Sequence, residues 1–123
     1  LVLAASANKG KVKIDHLIKW MSENYNSDIS LETMATYIGC SPAYTSKLFK
    51  KETGCDIITY LSGLRIEHAK KLLCTTQITI AEVAAFVGFN NQQTFIRNFK
   101  KLTGLTPTEY RSLPDDLHIS EES

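Results

Sequence analysis

A short polar segment in the second half of the chain carries the residues whose chemistry is most informative. Gln92 and Gln93 are adjacent, and Ile96 and Arg97 follow them one helical turn later. Glutamine can bond both edge groups of adenine, arginine can bond guanine through two hydrogen bonds, and an apolar side chain can contact the thymine methyl group. The same residues can also be ordinary surface residues, although a purely solvated face is usually richer in Glu and Lys.

Two pairs of lysines form a second group of candidate residues. Lys50-Lys51 and Lys100-Lys101 each follow a phenylalanine and stand shortly before a Thr-Gly dipeptide. Cations are favourable near the C-terminus of a helix, so one interpretation is a solvated helix end. The other is contact with DNA phosphates, which would position the chain on a duplex without reading its sequence. Because the same pair recurs at matching places, we favour phosphate contact.

The residue types used for catalysis and metal binding are present but scattered. The three cysteines stand at spacings of 15 and 19 residues, which fits neither a disulfide framework nor a CxxC metal pair. There is no HExxH, no GxSxG and no phosphate-binding glycine loop. We therefore expect no enzyme, no cofactor and no metal site, and free cysteines in a reducing compartment. The residues concerned are His16, His68, His118, Cys40, Cys55 and Cys74.

The elements that must position these residues are predicted to be helices. Apolar residues recur at steps of three and four, and no segment shows the sustained alternation typical of a strand. Capping residues and glycines then delimit the helices. The sequence predicts an all-α fold of seven helices: 12–25, Ser30 to Gly39, Ser41-Pro42 to Gly54, a long helix of about 18 residues after Asp56, Thr79 to Gly88, Asn90 to Gly104, and Thr106-Pro107 to about Ser112.

The first half of this pattern is repeated in the second half. Residues 29–39 align with residues 78–88 at an offset of 49, and after the turn the offset becomes 50, so that Phe49-Lys50-Lys51 matches Phe99-Lys100-Lys101. In each copy a tight glycine turn separates two helices, and the second helix has a polar capping residue. This arrangement is typical of a helix-turn-helix, although an αα-hairpin that serves only packing has the same outline.

The repeat gives a domain organisation with two helix-turn-helix subdomains joined by a long central helix. We expect a flexible lead-in at 1–10, a first subdomain at 11–55, a linker helix at 56–74, a second subdomain at 75–113 and an acidic disordered tail at 114–123. No apolar run is long enough to cross a bilayer. The chain begins with Leu1 rather than Met, so we expect it to be a fragment of a longer protein.

The charge distribution is compatible with binding to nucleic acid. The formal net charge is +1, from 14 basic and 13 acidic residues. Four of the acidic residues lie within the last ten positions, which contain no Lys or Arg, so the rest of the chain has 14 basic and 9 acidic residues and a net charge of +5. A basic bias of this size is mild and does not decide the function alone.

Residues 29–111 resemble the DNA-binding domain of AraC/XylS-type transcription regulators. The segment before it, from Ile14 to Tyr25, together with Asp28 to Glu32, looks like the subset found as output domains of two-component response regulators. The segments that carry the resemblance are Ser41 to Tyr44, Phe49 to Gly54, Arg65 to Glu67 with Ala69 and Leu72-Leu73, Ile80 to Ala84, Val87 to Phe89, Phe99 to Gly104, and Pro107 with Tyr110-Arg111.

The resemblance implies a cytoplasmic regulator that places two recognition helices in successive major-groove segments, about 34 Å apart, on one face of the duplex. It implies double-stranded operator DNA as a partner, with RNA polymerase and a missing N-terminal receiver or sensor domain as further partners, and no membrane. The implied base contacts are Ala43, Ser46, Lys47, Gln92, Gln93, Ile96 and Arg97. The implied phosphate contacts are Ser41, Lys50, Lys51, Asn90, Thr94, Lys100 and Lys101.

The two copies are not expected to contribute equally. Thr45 stands where the family usually has a buried leucine, and a buried hydroxyl there would need a hydrogen-bond partner. Ala43 and Ser46 also offer little hydrogen bonding to bases. We therefore expect the second unit to contribute more sequence specificity and the first to contribute mainly affinity and register. The main alternative is a helical protein-interaction module, which would explain the helices and the repeat. It would not explain the paired lysines.

Overall fold

Seven α-helices make up the protein in a computed structural model, which describes the backbone of residues 2–114 and the side chains of residues 9–114. No strand occurs in residues 2–114, so the predicted all-α class is confirmed. None of the described helices is long and apolar enough to span a membrane. The predicted acidic tail lies outside the described residues, apart from Pro114. The helices are α1 Val2–Asn24, α2 Leu31–Ile38, α3 Pro42–Thr53, α4 Ile57–Thr75, α5 Ile80–Phe86, α6 Gln92–Thr103 and α7 Pro107–Arg111.

Most helix ends lie where the predicted capping residues stand. The predicted N-caps accept a hydrogen bond from the backbone N–H three residues later and so satisfy a group that the helix itself leaves unpaired. Gly39 and Gly54 adopt the left-handed conformation, with φ of 73° and 76°, directly after α2 and α3. A side chain at these positions would be strained, which explains why glycine ends both helices. The confirmed N-caps are Ser30, Ser41, Asp56, Thr79 and Thr106.

Two helices of the second unit begin with a reciprocal capping box. The carboxylate of Glu82 accepts the backbone N–H of Thr79 at 2.8 Å, and that of Glu109 accepts the backbone N–H of Thr106 at 2.9 Å. These hydrogen bonds favour the charged carboxylate, so they lower the pKa of both glutamates below the ordinary value. The starts of α5 and α7 are therefore stabilised by groups that titrate in acid.

The predicted start of the first helix was wrong. Helix α1 begins at Val2, not at Val12, and runs through most of the segment 1–10 that was predicted to be a flexible lead-in. The segment contains Leu3, Ala4, Ala5 and Ala7, which are good helix formers, and no proline. Gly10 lies inside the helix, because a single interior glycine costs only about 1 kcal/mol relative to alanine.

The predicted N-cap of α6 was also wrong by one residue. Asn91, not Asn90, caps the helix, and its Oδ1 atom accepts the backbone N–H of Thr94 at 2.8 Å. Both residues are asparagines, so residue type alone does not distinguish them. Asn91 stands 50 residues after Ser41, the cap of α3, and is therefore its equivalent in the repeat.

The chain divides into two compact units, Leu1–Leu61 and Ser62–Ser123, and α4 continues from one into the other. In the first unit α1 packs against α2 and α3. The ring of Trp20 stacks on that of Tyr37, with centroids 5.0 Å apart and an angle of 21° between the planes. The core of this unit consists of buried apolar residues, among them Ile14, Leu17, Met21, Met34, Ala35, Leu48, Phe49, Ile57 and Leu61.

The second unit has an aromatic core. The rings of Phe89, Phe95, Phe99 and Tyr110 follow one another with centroids 5.4, 5.7 and 5.4 Å apart. The C-terminal half of α4 supplies the supporting helix, as α1 does in the first unit. Its buried residues Ile66, Ala69 and Leu73 stand 52 positions after Ile14, Leu17 and Met21.

One arginine ties the last helix of the second unit to the loop before α5. The guanidinium of Arg111 donates three hydrogen bonds, to the carbonyls of Leu73 at 3.2 Å, Thr76 at 3.3 Å and Ile78 at 2.6 Å. These carbonyls belong to the last turn of α4 and to the residues after it, where no further helical N–H is available. Arg111 therefore supplies hydrogen-bond donors to the backbone carbonyls of the segment between α4 and α5, which is neither helix nor strand.

Candidate nucleic-acid interface

The second helix of the second unit, α6, has one apolar side and one polar side. Phe95 and Phe99 are fully buried, whereas Gln92, Gln93 and Arg97, which helical periodicity places on the other side, are exposed. Ile96 is half-buried, so only part of its side chain can reach a partner. The helix contains three basic residues and no acidic residue. Its exposed side therefore combines donors and acceptors for base edges with a positive charge.

The corresponding helix of the first unit, α3, has a poorer exposed side. Ala43 and Lys47 are exposed and Ser46 is half-buried, so only Lys47 presents a charged group to solvent among the three predicted base contacts. The helix has three lysines and one glutamate. The charge of α3 therefore suits a polyanion, but its side chains offer fewer hydrogen bonds to bases than those of α6.

Thr45 lies on the buried side of α3, at 0% exposure. Its hydroxyl donates to the carbonyl oxygen of Ser41 at 2.8 Å, so the group has the partner that burial requires. The same carbonyl also accepts the backbone N–H of Thr45 at 2.9 Å. The departure from the usual leucine is therefore accommodated by a bond to the helix itself.

The two lysine pairs lie in the last turns of α3 and α6, and all four lysines are exposed. The two helix ends have the same geometry: the backbone N–H of Gly54 donates to the carbonyl of Lys50 at 2.8 Å, and that of Gly104 donates to the carbonyl of Lys100 at 2.8 Å. Lys50 and Lys51 follow Lys47 by three and four residues and therefore share its side of the helix. The paired cations are thus equivalent elements of the repeat.

Three other predicted phosphate contacts lie at the helix starts. Ser41 is exposed, and its side-chain oxygen accepts the backbone N–H of Tyr44 at 3.2 Å, so the hydroxyl is engaged as a cap. Asn90 is exposed in the turn before the capping residue of α6. Thr94 is half-buried in the first turn of α6. Within each unit, the candidate residues thus lie on one helix and its preceding turn.

Sequence reasoning missed Tyr44 as a candidate residue. Its side chain is 54% exposed in the first turn of α3, next to Ala43. The signal that could have found it is the repeat, because Tyr44 stands 50 residues before Thr94, a predicted phosphate contact. A tyrosine at this place adds a hydroxyl donor and a large apolar ring to the exposed side of α3, which has few other hydrogen-bonding groups.

Within residues 2–114, no group of three or more His, Cys, Asp or Glu residues could hold a metal ion. The three cysteines are free, with Cys40 and Cys55 half-buried and Cys74 exposed. His16 is exposed and His68 is half-buried, whereas His118 lies outside the described residues.

A family model described as a helix-turn-helix domain matches residues 34–112, which is more than half of the chain. The chain belongs to the AraC/XylS family of helix-turn-helix domains. This family domain is similar to the C-terminal domain of AraT, a response regulator from Geobacillus stearothermophilus, with 33% identity and a TM-score of 0.77 over 80% of this chain and 83% of that chain. It is also similar to the DNA-binding domain of AdpA in complex with a target DNA, with 25% identity and a TM-score of 0.77 over 80% and 89% of the two chains.

Among curated proteins, this AraC/XylS-family chain is 36% identical over 105 residues to the F1 operon positive regulatory protein of Yersinia pestis. The match covers 85% of this chain and 35% of that regulator. Across three curated relatives, the matched part represents between 13% and 47% of the relative's length. The relatives are therefore longer proteins in which a domain of this kind is one part.

Proposed function

We propose that the chain is the sequence-specific double-stranded DNA-binding domain of a bacterial transcription regulator. The observation that carries the proposal is the exposed side of α6, which presents Gln92, Gln93 and Arg97. The opposite side of this helix is buried through its aromatic residues, and the helix follows a tight glycine turn. Support comes from the similar AdpA domain, which was solved with a target DNA, and from the name of the Yersinia relative as a positive regulatory protein.

In this proposal α3 and α6 are the recognition helices and enter successive major-groove segments about 34 Å apart. The base contacts come from Gln92, Gln93, Ile96 and Arg97 of α6, and from Ala43, Ser46 and Lys47 of α3. Phosphate contacts come from Lys50, Lys51, Lys100 and Lys101, with Ser41, Asn90 and Thr94 at the helix starts. The second unit contributes more specificity, because its side chains have more donors and acceptors for base edges.

The wider assignment follows the same proposal. The domain acts as a binding module rather than an enzyme, in the cytoplasm, and RNA polymerase is a further partner. A receiver or sensor domain precedes it in the full regulator. The similarity to the AraT response regulator and the greater length of the curated relatives support this arrangement.

A selection of bound duplexes from a random DNA pool tests the proposal. We expect two conserved half-sites with centres about 10 base pairs apart, one for each recognition helix. Recovery of no motif from a folded sample would overturn specific recognition. The alternative of a protein-interaction module is tested by salt, since binding through several phosphates weakens steeply as salt rises, whereas an apolar protein interface does not.

A further inference from the structure

The first unit contains a surface cleft beside the proposed recognition helix α3. It has a volume of about 260 Å³ and is lined by Lys9, Gly10 and Lys13 of α1 and by Tyr44 of α3. Sites for organic ligands usually have volumes of roughly 300–1,000 Å³ and mostly apolar walls. This cleft is smaller, and its lining includes two lysines and a tyrosine. Its size and charge therefore suit a single small anionic group.

The cleft exists because α1 and α3 approach closely at a glycine. A Cβ atom on Gly10 would lie 2.9 Å from Cδ1 of Leu48, so any other residue would press on the buried leucine. Lys9 and Lys13 are four residues apart and therefore lie on the same side of α1. The carboxylate of Glu52 does not line the cleft, but its Oε2 atom lies 3.9 Å from the same Cβ position and offsets part of the lysine charge. The cleft has a net positive charge because two lysines line it.

Hydrogen bonds hold one of the two ammonium groups in place. The Nζ atom of Lys13 donates to the carbonyl of Ile38 at 3.3 Å and to Sγ of Cys40 at 3.5 Å. An ammonium group has three N–H donors, so one donor remains for a ligand. The side chain is half-buried and is positioned at the turn that leads into α3. Little ordering of this group is needed when an anion enters.

The second unit does not repeat this arrangement. Helix α4 has Arg65 in the place of Lys13 and Leu61 in the place of Lys9, each 52 positions later. The guanidinium of Arg65 lies 5.6 Å above the ring of Phe89, and Leu61 is buried at 4% exposure. A pair of lysines facing the recognition helix is therefore particular to the first unit.

We propose that this cleft binds one backbone phosphate of double-stranded DNA. Lys9 and Lys13 supply the charge, and the hydroxyl of Tyr44 donates a hydrogen bond to a phosphate oxygen. The inference rests on the proposed function, since it assumes that α3 faces the duplex. A phosphate bound in the cleft would explain how a unit with few base contacts is held on DNA, because α1 as well as α3 then contributes to the affinity.

The test measures how the affinity for a DNA duplex depends on salt in two variants, each of which lacks one positive charge of α1. Lys9→Gln removes a cation of the cleft, and Lys11→Gln removes an exposed cation that does not line it. One phosphate contact contributes about 0.9 to the slope of log K against log salt, and Lys9 shares its phosphate with Lys13, so Lys9→Gln should make the slope less steep by up to about 0.9. The affinity ratio of wild type to Lys9→Gln should then fall by up to about 3.5-fold as salt rises from about 50 to about 200 mM. Lys11→Gln should keep the wild-type slope.

Two further measurements identify the ligand as a DNA phosphate. Tyr44→Phe should weaken binding about fivefold without changing the slope, because it removes a hydrogen bond and no charge. Replacing single phosphates by neutral methylphosphonates should reveal one position that weakens binding by the wild type more than binding by Lys9→Gln. If Lys9→Gln and Lys11→Gln have equal slopes while the wild type binds DNA, the cleft proposal is wrong and the proposed function stands. If the wild type binds no duplex, both are wrong.

Discussion

Replacement of Arg111 should strongly destabilise the second unit. Arg111→Ala removes three hydrogen bonds from a charged donor, of which the bond to the carbonyl of Ile78 is short at 2.6 Å and the other two are 3.2 and 3.3 Å long. Bonds from charged groups contribute about 1.5–3 kcal/mol when short, and the two longer bonds from this half-exposed side chain contribute about 0.5 kcal/mol each. The expected loss is about 3 kcal/mol of unfolding free energy.

The charge-preserving variant Arg111→Lys separates geometry from charge. A lysine has one ammonium group and cannot reach three carbonyls that a planar guanidinium bonds together, so we expect it to recover less than half of the lost stability. Urea unfolding followed by far-UV circular dichroism measures both variants. With an m value of about 1.5 kcal/mol per molar urea, the midpoint of Arg111→Ala should fall by about 2 M.

Glu67→Gln is the matched control for loss of a surface polar contact. It breaks the ion pair with Lys70, whose atoms are 2.9 Å apart, but Glu67 is 66% exposed. Only the glutamate of this pair is exposed, since the Lys70 side chain is 16% exposed, and a pair within one helix contributes about 0.5 kcal/mol at most. The three hydrogen bonds of Arg111 do not have the stabilising role assigned to them if Arg111→Ala loses no more stability than this control, or if Arg111→Lys is as stable as the wild type.

Three other predictions concern pH, helix stability and specificity. Glu82 and Glu109 have lowered pKa values in the folded state, so their stabilisation is present above the pKa of an unfolded glutamate, about 4.3, and is lost as the pH falls through the lower folded values. The double variant Glu82→Gln, Glu109→Gln should therefore show a shallower loss of stability in acid unfolding. Gly63→Ala should raise the unfolding free energy by about 1 kcal/mol, since the residue is inside α4 and nothing lies within 4 Å of the added Cβ; equal midpoints in urea would contradict this. Arg97→Ala should reduce discrimination between operator and random duplex more than Lys47→Ala does, and a larger reduction for Lys47→Ala would contradict the proposed division of roles.

The sequence predicted those parts of the fold that depend on local chemistry. A serine before Pro42 and a glycine after Thr53 delimit α3 because caps act within one turn of the chain. The start of α1 was missed because the amphipathic spacing that predicted this helix begins only near Val12. The cap of α6 was missed because two adjacent asparagines are chemically equal candidates.

The sequence could not predict features that depend on distant residues. The carbonyls that Arg111 bonds lie 33 to 38 positions earlier in the chain, so no local pattern indicates the contact. The outward side of α6 was predictable, because Phe95 and Phe99 fix its phase by helical periodicity. The cleft was not, because Lys9 falls in the segment that was predicted to be flexible, and the approach of α1 to α3 depends on tertiary packing.

The stacking of Trp20 on Tyr37 makes the protein's intrinsic fluorescence a report on one half of the molecule. The chain has a single tryptophan, and it lies in the first unit. Its emission depends on the packing of α1 against α2 within that unit. Fluorescence and circular dichroism recorded on the same urea series therefore observe different parts of the chain. Coincident transitions would show that the two repeats unfold as one cooperative body, and separated transitions would show that each repeat has its own stability.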